Sequence, residues 1–190
     1  MNTNLAYQDY PAQELIGGKI VAMSPSPAVN HNRVAGNIYR MFSHYLRGCR
    51  CEPFADGVDL YLTEEDRFIP DMMVVCDSDK VKTDGVYGAP DLVVEVLSPS
   101  TARYDRGRKQ DVYARCGVRE YWIVGPGDRT VEQYFLEDGQ FILHGAYGLE
   151  HEAILRKMSQ EERDAIPTEF QCGIFPDLTI QIADIFERVV

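Results

Sequence analysis

Two acidic residues stand at or within successive apolar segments of this chain. Asp71 follows Pro70 and precedes the run MMVV, and Glu95 lies inside DLVVEVLS. A carboxylate surrounded by hydrocarbon has to be paired, hydrogen-bonded or bound to a metal ion. The structural alternative for Glu95 is an ion pair with a basic residue on the next helix, and for Asp71 it is the capping of a turn. Otherwise the two residues are candidates for catalysis or metal binding.

Strand geometry decides which of these carboxylates could share one ion. Asp91 and Glu95 lie on one face of the same predicted strand, but four residues of strand span about 13 Å, too far for direct sharing. Asp71, on a neighbouring strand about 4.8 Å away, can share an ion with Glu95 if the registers match. Two hard oxygen ligands suit Mg²⁺, with Mn²⁺ as a substitute, and such ions also accept phosphate oxygens. The carboxylates therefore predict phosphodiester hydrolysis.

Lys109 could assist such a reaction from the helix that follows Glu95. It shares a helical face with Val112, Tyr113 and Cys116, and that face turns toward the sheet. There its ammonium could orient an attacking water or offset developing charge.

A basic island surrounds Lys109. Residues 103–119 hold six of the 19 basic residues of the chain, which has 190 residues in all. Arg106 and Arg108 point elsewhere around the helix and are candidates for phosphate contacts. The alternative is a solvated helix face on which Asp105 and Lys109 form an i,i+4 pair.

His31 lies near the start of the first predicted long helix, in SPSPAVNHNRV. A histidine at this position could hold a metal-binding side chain in place, or it could be a helix cap or a surface residue. The sequence contains no G-x-S-x-G, Walker or dinucleotide-binding motif.

The predicted elements place these residues in a mixed α/β fold. The pattern predicts a helix over 28–46, a hairpin of strands over 58–62 and 69–76, a central strand over 91–98 and a helix over 102–116 that ends at Gly117. A helical turn over 7–15 and an edge strand over 19–23 precede them. Further strands follow, and DLTIQIADIFERV should close the sheet with a strand and a helix.

Composition limits the class of protein. The net charge of −11 argues against a uniformly basic surface but leaves room for a local basic groove. No apolar run approaches the roughly 18 residues that span a bilayer, and the start lacks a signal-peptide pattern, so we expect a cytoplasmic protein. The five cysteines form an odd set without paired C-x-x-C spacing, and we expect them to be reduced packing residues.

Three strings of the sequence match a known family. They are GGKIVAMSPSPAVNHNRV, IPDMMVV and GAPDLVVEVLSPSTARYDRGRKQDVYARCGVREYWIV. They resemble the Uma family of restriction-endonuclease-like proteins, long catalogued as a domain of unknown function, over about residues 10–186. That family is similar to the PD-(D/E)xK nuclease superfamily. The resemblance implies one restriction-endonuclease-like domain over 1–190, with an αβββαβ core at about 28–136, a mixed central sheet flanked by helices, extra N-terminal strands and a C-terminal strand and helix.

The resemblance also implies roles for individual residues. The first motif aspartate falls on Asp71 and the acidic strand residue on Glu95, and the main-chain carbonyl of Val96 would be a further metal ligand. The chain departs from the motif at Leu97, where the superfamily has its lysine. In some members that lysine has moved to the following helix, and here Lys109, held by Asp105, is the matching candidate.

The leading hypothesis is thus a Mg²⁺-dependent endonuclease that acts on DNA, with a homodimer as the expected assembly. One alternative is a catalytically silent module that binds nucleic acid or protein, because fold does not establish function. Another is a metal-dependent hydrolase of some other phosphate ester. Steep salt dependence would distinguish a phosphate-backbone binder from an enzyme for small esters.

Overall fold

The computed structural model of the chain describes residues 13–22, 28–99 and 102–190. Within these ranges the helices are α1 (Val29–Tyr45), α2 (Ala102–Tyr104), α3 (Gln110–Cys116), α4 (Glu152–Leu155), α5 (Gln160–Asp164) and α6 (Ile182–Ile185). The strands are β1 (Gln13–Ile16), β2 (Lys19–Ala22), β3 (Glu52–Ala55), β4 (Leu60–Tyr61), β5 (Arg67–Phe68), β6 (Met72–Val75), β7 (Val81–Lys82), β8 (Gly85–Tyr87), β9 (Leu92–Val96), β10 (Glu120–Gly125), β11 (Thr130–Glu137), β12 (Gln140–Gly148), β13 (Glu169–Gln171) and β14 (Thr179–Gln181). The predicted mixed α/β class is confirmed.

A six-stranded core sheet carries the two candidate carboxylates, with strands in the order β12-β11-β10-β9-β6-β3. Strand β9 lies inside this sheet, parallel to β10 and antiparallel to β6. Every residue of β6, β9 and β10 is buried. The β-branched run of β9 therefore forms a central strand, as its continuous apolar sequence predicts.

The two faces of the core sheet pack against different elements. Strand alternation sends Met72 and Val94 to one face, where α1, β13, β14 and α6 cover them. Met73 and Val93 point to the opposite face, which packs against α3 and a second sheet. Asp71 and Glu95 share the parity of Met73 and Val93 and so belong to this second face.

The second sheet has the strand order β2-β1-β5-β4-β8-β7. Its β4 and β5 form a hairpin in which Leu60 pairs with Phe68. The predicted hairpin of 58–62 with 69–76 is therefore wrong in its partner, because Met72–Val75 pairs with β3 and β9 in the core sheet. The chain crosses from one sheet to the other within Ile69, Pro70 and Asp71, which period-two alternation alone does not reveal.

The helical segment after β9 is interrupted by a kink. Helix α2 leads into a wide turn over Asp105–Lys109, in which Gly107 has φ −125° and ψ −107°, and α3 follows. The predicted inward face is confirmed, because Lys109, Val112 and Tyr113 are all buried. Gly117 ends the helix in the left-handed region at φ +93°, as the sequence predicts.

Two further elements differ from the sequence prediction. Positions 13–15 of the predicted helical turn belong to strand β1, which forms an antiparallel hairpin with β2, while positions 7–12 lie outside the described residues. Strand β14 pairs with β13 in a separate two-stranded sheet instead of closing the core sheet. In the described part of the chain, no helix is both long and apolar enough to cross a membrane.

The sequence predicts that all five cysteines are reduced, and this prediction is wrong for two of them. Cys51 and Cys76 form a disulfide beside the antiparallel pair β3–β6. Their separation of 25 residues does not predict a disulfide, because the pairing of β3 with β6 brings the two thiols together. Cys49, Cys116 and Cys172 are free thiols.

Candidate active site

Asp71 and Glu95 occupy matching positions on neighbouring strands. The antiparallel register of β6 and β9 pairs Met72 with Val94, and one further step places Asp71 opposite Glu95. Side chains at such positions point to the same face of a sheet. Asp71 Oδ2 also accepts a hydrogen bond from the main-chain N–H of Val96 at 2.6 Å. The register condition for two carboxylates at one site is therefore met.

Glu95 is buried within a polar cluster on this face. Its Oε1 accepts hydrogen bonds from Lys109 Nζ at 3.1 Å and from the Tyr113 hydroxyl at 2.7 Å. Burial raises the pKa of Glu95 well above its ordinary value, Lys109 opposes the rise, and the charges of Asp105, Asp71 and Glu14 add to it. The ion pair that was the structural alternative for Glu95 is thus present. Its basic residue is Lys109, the same lysine that the sequence makes a candidate for assisting the reaction.

Lys109 lies among three carboxylates. Its Nζ is 2.8 Å from Glu14 Oε1, 3.1 Å from Glu95 Oε1 and 3.4 Å from Asp105 Oδ1, and its side chain is 3% exposed. Burial by itself lowers the pKa of Lys109, but the charges of Glu95, Glu14 and Asp105 outweigh it and raise that pKa above its ordinary value. Lys109 is therefore held as an ammonium ion across the neutral pH range.

His31 contacts the other side of Asp71. His31 Nε2 lies 3.3 Å from Asp71 Oδ1, and its buried Nδ1 has no hydrogen-bond partner among the described residues. Burial lowers the pKa of His31, but the hydrogen bond and charge of Asp71 more than offset this and raise it. Both oxygens of Asp71 are thus in contact with protein groups, one with Val96 and one with His31.

The two arginines predicted to contact phosphate have different environments. Arg106 Nη1 donates to both Glu132 carboxylate oxygens, at 2.7 and 2.5 Å, so this guanidinium already has an anionic partner. Arg108 is half exposed and lies 3.8 Å from Asp66. With Arg115 it lines a cleft of about 710 Å³ between α3 and the turn at Gly139.

Comparison with known proteins connects this geometry to a family. A family model described as "Uma2: Putative restriction endonuclease" matches residues 4–164. The chain belongs to the Uma2 family. Two uncharacterized proteins of Synechocystis sp. are similar to this Uma2 chain. One is 31% identical over 133 residues, 68% of this chain and 70% of the relative, and the other is 30% identical over 125 residues, 64% and 70%.

A solved structure supports the fold of this Uma2 chain. It is the crystal structure described as a "putative nuclease belonging to DUF820" from Anabaena variabilis. The two folds superpose with a TM-score of 0.70 at 18% sequence identity, over 95% of this chain and 92% of the other. At that identity the match shows a shared fold, and the chemistry has to be argued from the residues.

The donor set of the Uma2 site fits a divalent cation only if water or substrate completes the coordination. Among the described residues, no group of three or more His, Cys, Asp or Glu side chains is arranged to hold a metal ion. Asp71 and Glu95 nevertheless offer two carboxylates from one face, and Mg²⁺ commonly keeps several waters beside one or two carboxylates. The residues therefore fit Mg²⁺ or Mn²⁺ better than an ion that requires a full set of protein ligands, such as structural zinc.

The sequence analysis assigns no role in this site to three residues that the structure places there. Glu14 and Tyr113 contact Lys109 and Glu95 directly. Asp56 lies near Asp71, and burial together with the Asp71 charge raises the pKa of Asp56. The helical spacing that places Tyr113 on the same inward face as Lys109 could have identified it. Glu14 was misplaced because its segment was predicted to be helical.

Proposed function

We propose that this Uma2 chain is a metal-dependent endonuclease that hydrolyses phosphodiester bonds, with DNA as the substrate class. The observation that carries the proposal is the placement of Asp71 and Glu95 on one face of neighbouring strands, with Lys109 Nζ 3.1 Å from Glu95. Membership of a family described as "Putative restriction endonuclease" supports the reaction class.

The order of elements also supports the proposal. Helix α1, strands β3, β6 and β9, the helical segment after β9 and strand β10 occur in this order along the chain, with β4–β5 and β7–β8 of the second sheet inserted between them. This order resembles the αβββαβ core of the PD-(D/E)xK superfamily. Leu97 stands where that motif has lysine, and it packs against the apolar cluster on the same face as Glu95. Lys109 reaches Glu95 from the helix and is proposed to replace the missing lysine.

In this mechanism Asp71, Glu95 and the main-chain carbonyl of Val96 would hold Mg²⁺. When bound, the ion would polarise the phosphoryl group and lower the pKa of a bound water. Asp71 is oriented for its part by the N–H of Val96 and by His31. The acidic pair is thus fixed in direction before any substrate arrives, which reduces the reorganisation needed during the reaction.

Lys109 acts in the proposed mechanism as a cation and hydrogen-bond donor. Because its neighbours hold it in the charged form, it has no free lone pair with which to remove a proton from water. Its ammonium can instead orient the attacking water or offset the charge that develops on the phosphoryl oxygens. Asp105, in the wide turn before α3, contributes to holding it.

Arg108 is the better candidate for a phosphate contact of the two predicted arginines. Its guanidinium is half exposed and borders the cleft next to Arg115, whereas Arg106 is engaged by Glu132. Arg108 and Arg115 both line this cleft, although Asp111 lines it as well and Asp66 lies within 4.0 Å of both guanidinium groups.

One observation favours the silent binding module as a second candidate. Glu95 already accepts hydrogen bonds from Lys109 and Tyr113, so its burial is explained without a metal ion. In that case the polar cluster would be a structural ion-pair network, and the chain would bind a partner without cutting it.

A cleavage assay with matched variants separates the candidates. Supercoiled plasmid, single-stranded DNA and RNA are each incubated with the protein and Mg²⁺ or Mn²⁺, with chelated samples in parallel, while calorimetry measures Mn²⁺ binding. Glu95→Gln and Asp71→Asn should lower cleavage by about 10²-fold or more and weaken Mn²⁺ binding. The control is Asp91→Asn, on the same face but bonded to the Cys76 N–H at the opposite end of β9.

The result identifies which proposal holds. Metal-dependent cleavage that is lost in Glu95→Gln and retained in Asp91→Asn supports the nuclease. Cleavage that survives in Glu95→Gln overturns the assigned site. If no nucleic acid is cut and Mn²⁺ does not bind, the silent module replaces the nuclease. Metal binding together with turnover of small phosphate esters alone points to the other hydrolase class.

A further inference from the structure

Glu14 connects three parts of the molecule through one carboxylate oxygen. Its Oε1 lies 2.8 Å from Lys109 Nζ and accepts the main-chain N–H of Ile69 at 2.9 Å. Ile69 is two residues before Asp71 in the segment that crosses between the sheets. Glu14 is also the nearest of the three carboxylates to Lys109, closer than Glu95 or Asp105.

The hairpin β1–β2 holds Glu14 in this position. Alternation along β1 turns Glu14 and Ile16 inward and leaves their neighbours half-buried. The turn after β1 is anchored where Gly17 N–H donates to Asp66 Oδ1 at 2.8 Å. A Cβ on Gly17 would lie 2.4 Å from the Arg108 guanidinium, so the hairpin sits directly against the residue that precedes Lys109.

We propose that Glu14 is a positioning residue that holds the Lys109 ammonium beside Glu95 and ties it to the segment leading into Asp71. The catalytic part of this proposal rests on the nuclease function above. A lysine side chain has four rotatable bonds and gains a fixed direction only from its partners. Glu14 and Asp105 lie on two different elements, and together they direct the ammonium at the carboxylate of β9.

Charge explains why an acid is needed at position 14. A buried ammonium is stabilised by nearby carboxylates and destabilised by burial itself. If Glu95 held a metal ion, Glu14 and Asp105 would still lie 2.8 and 3.4 Å from Lys109 Nζ. Glu14 thus gives Lys109 a fixed anionic partner that lies outside the Asp71–Glu95 pair.

The test uses a readout that does not depend on cleavage. The chain has five lysines, and Lys109 is the one that is fully buried. Nitrogen-15 labelling of lysine allows each side-chain ammonium signal to be followed by NMR, with Lys109→Arg to assign the buried one. Glu14→Gln keeps an oxygen for the Ile69 N–H but removes the charge. Asp66→Asn is the matched control, because it alters the anchor of the same hairpin without touching Lys109.

In Glu14→Gln the buried ammonium signal should shift, and its hydrogen exchange should accelerate by at least about tenfold. In Asp66→Asn the signal should stay in place. On a substrate that the wild type cuts, Glu14→Gln should lower kcat by about 10²-fold with little change in KM, since a displaced catalytic group affects the chemical step.

Each outcome has a defined meaning. An unchanged ammonium signal in Glu14→Gln overturns the proposal, whatever the cleavage result. A changed signal with unchanged kcat overturns its catalytic part. If the wild type cuts none of the nucleic acids, the nuclease function fails, and the NMR comparison still decides whether Glu14 holds Lys109.

Discussion

The Asp71 carboxylate accepts the main-chain N–H of Val96, the residue after Glu95, across a distance of 2.6 Å. This bond lies just beyond Met72 and Val94, the last paired residues of β6 and β9. It continues the contact between the two strands through the Asp71 side chain. Because the next side chain along is Glu95, the bond that orients one candidate ligand also fixes the backbone of the other.

Asp71→Ala should lower the free energy of unfolding by about 1–3 kcal/mol, because it leaves the buried Val96 N–H without an acceptor. Asp71→Asn retains a side-chain oxygen and should cost less. Urea unfolding of both variants measures the difference. Equal losses for the two variants would show that the hydrogen bond to Val96 contributes little.

Lys109→Met should destabilise the protein by about 3–5 kcal/mol near pH 7.5, because Glu14, Glu95 and Asp105 would remain buried without their cation. Because burial raises the pKa of Glu95, protonation of this carboxylate should reduce the loss as the pH is lowered. Arg119→Met is the control, since Arg119 is largely exposed beside Asp91 and should contribute less than about 1 kcal/mol. Similar losses in both variants would contradict a buried charge cluster.

His31 should make a contribution to stability that depends on pH. Its pKa in the folded protein is raised above the ordinary 6.5. The folded state therefore binds the His31 proton more tightly than the unfolded state does. That contribution is fully present below pH 6.5 and disappears as the pH rises through the raised pKa. The difference in unfolding free energy between wild type and His31→Gln should therefore be larger at pH 5.5 than at pH 8.5. If the difference did not change with pH, the contact between His31 and Asp71 would not be ionic.

Glu120 should anchor the C-terminal segment to the core sheet. This fully buried carboxylate accepts hydrogen bonds from Trp122 Nε1, Gln133 Nε2 and the Ile174 N–H. Glu120→Ala should cost about 3 kcal/mol and speed amide hydrogen exchange over 169–181, since the buried Trp122 N–H and the partly buried Ile174 N–H lose their acceptor and Gln133 keeps only the Gln171 carbonyl.

A matched variant tests that role. Glu169→Ala removes an exposed carboxylate from β13 itself, where Glu169 accepts from Gln181. It should leave exchange over 169–181 nearly unchanged and cost less than about 0.5 kcal/mol. Comparable exchange profiles in the two variants would contradict the anchoring role of Glu120.

Much of the core could be predicted because its patterns are local. The stripe of α1, the apolar run of β9 and the left-handed Gly117 each depend on neighbouring residues. The inward phase of Lys109 followed from the same reasoning. These signals are also the ones that identify the Glu95–Lys109 pair.

The features that sequence reasoning missed depend on residues far apart in the chain. Glu14 meets Lys109 through the packing of the second sheet on the core sheet, and Cys51 meets Cys76 through the pairing of β3 with β6. The partner of Met72–Val75 was mistaken for a similar reason. Strand alternation reports which face a residue takes, and it does not report which strand lies beside it.

Glu95 and Lys109 stand 14 residues apart along the chain, and their charged atoms lie 3.1 Å apart in space. A search pattern that requires lysine two residues after the acid would reject this chain at Leu97, although the same two groups meet. Under the proposed function, the feature to search for is the distance between the ammonium and the carboxylate, and the lysine can come from the following helix as well as from the strand. Relatives without lysine at that position should be compared by their three-dimensional arrangement before they are counted as inactive.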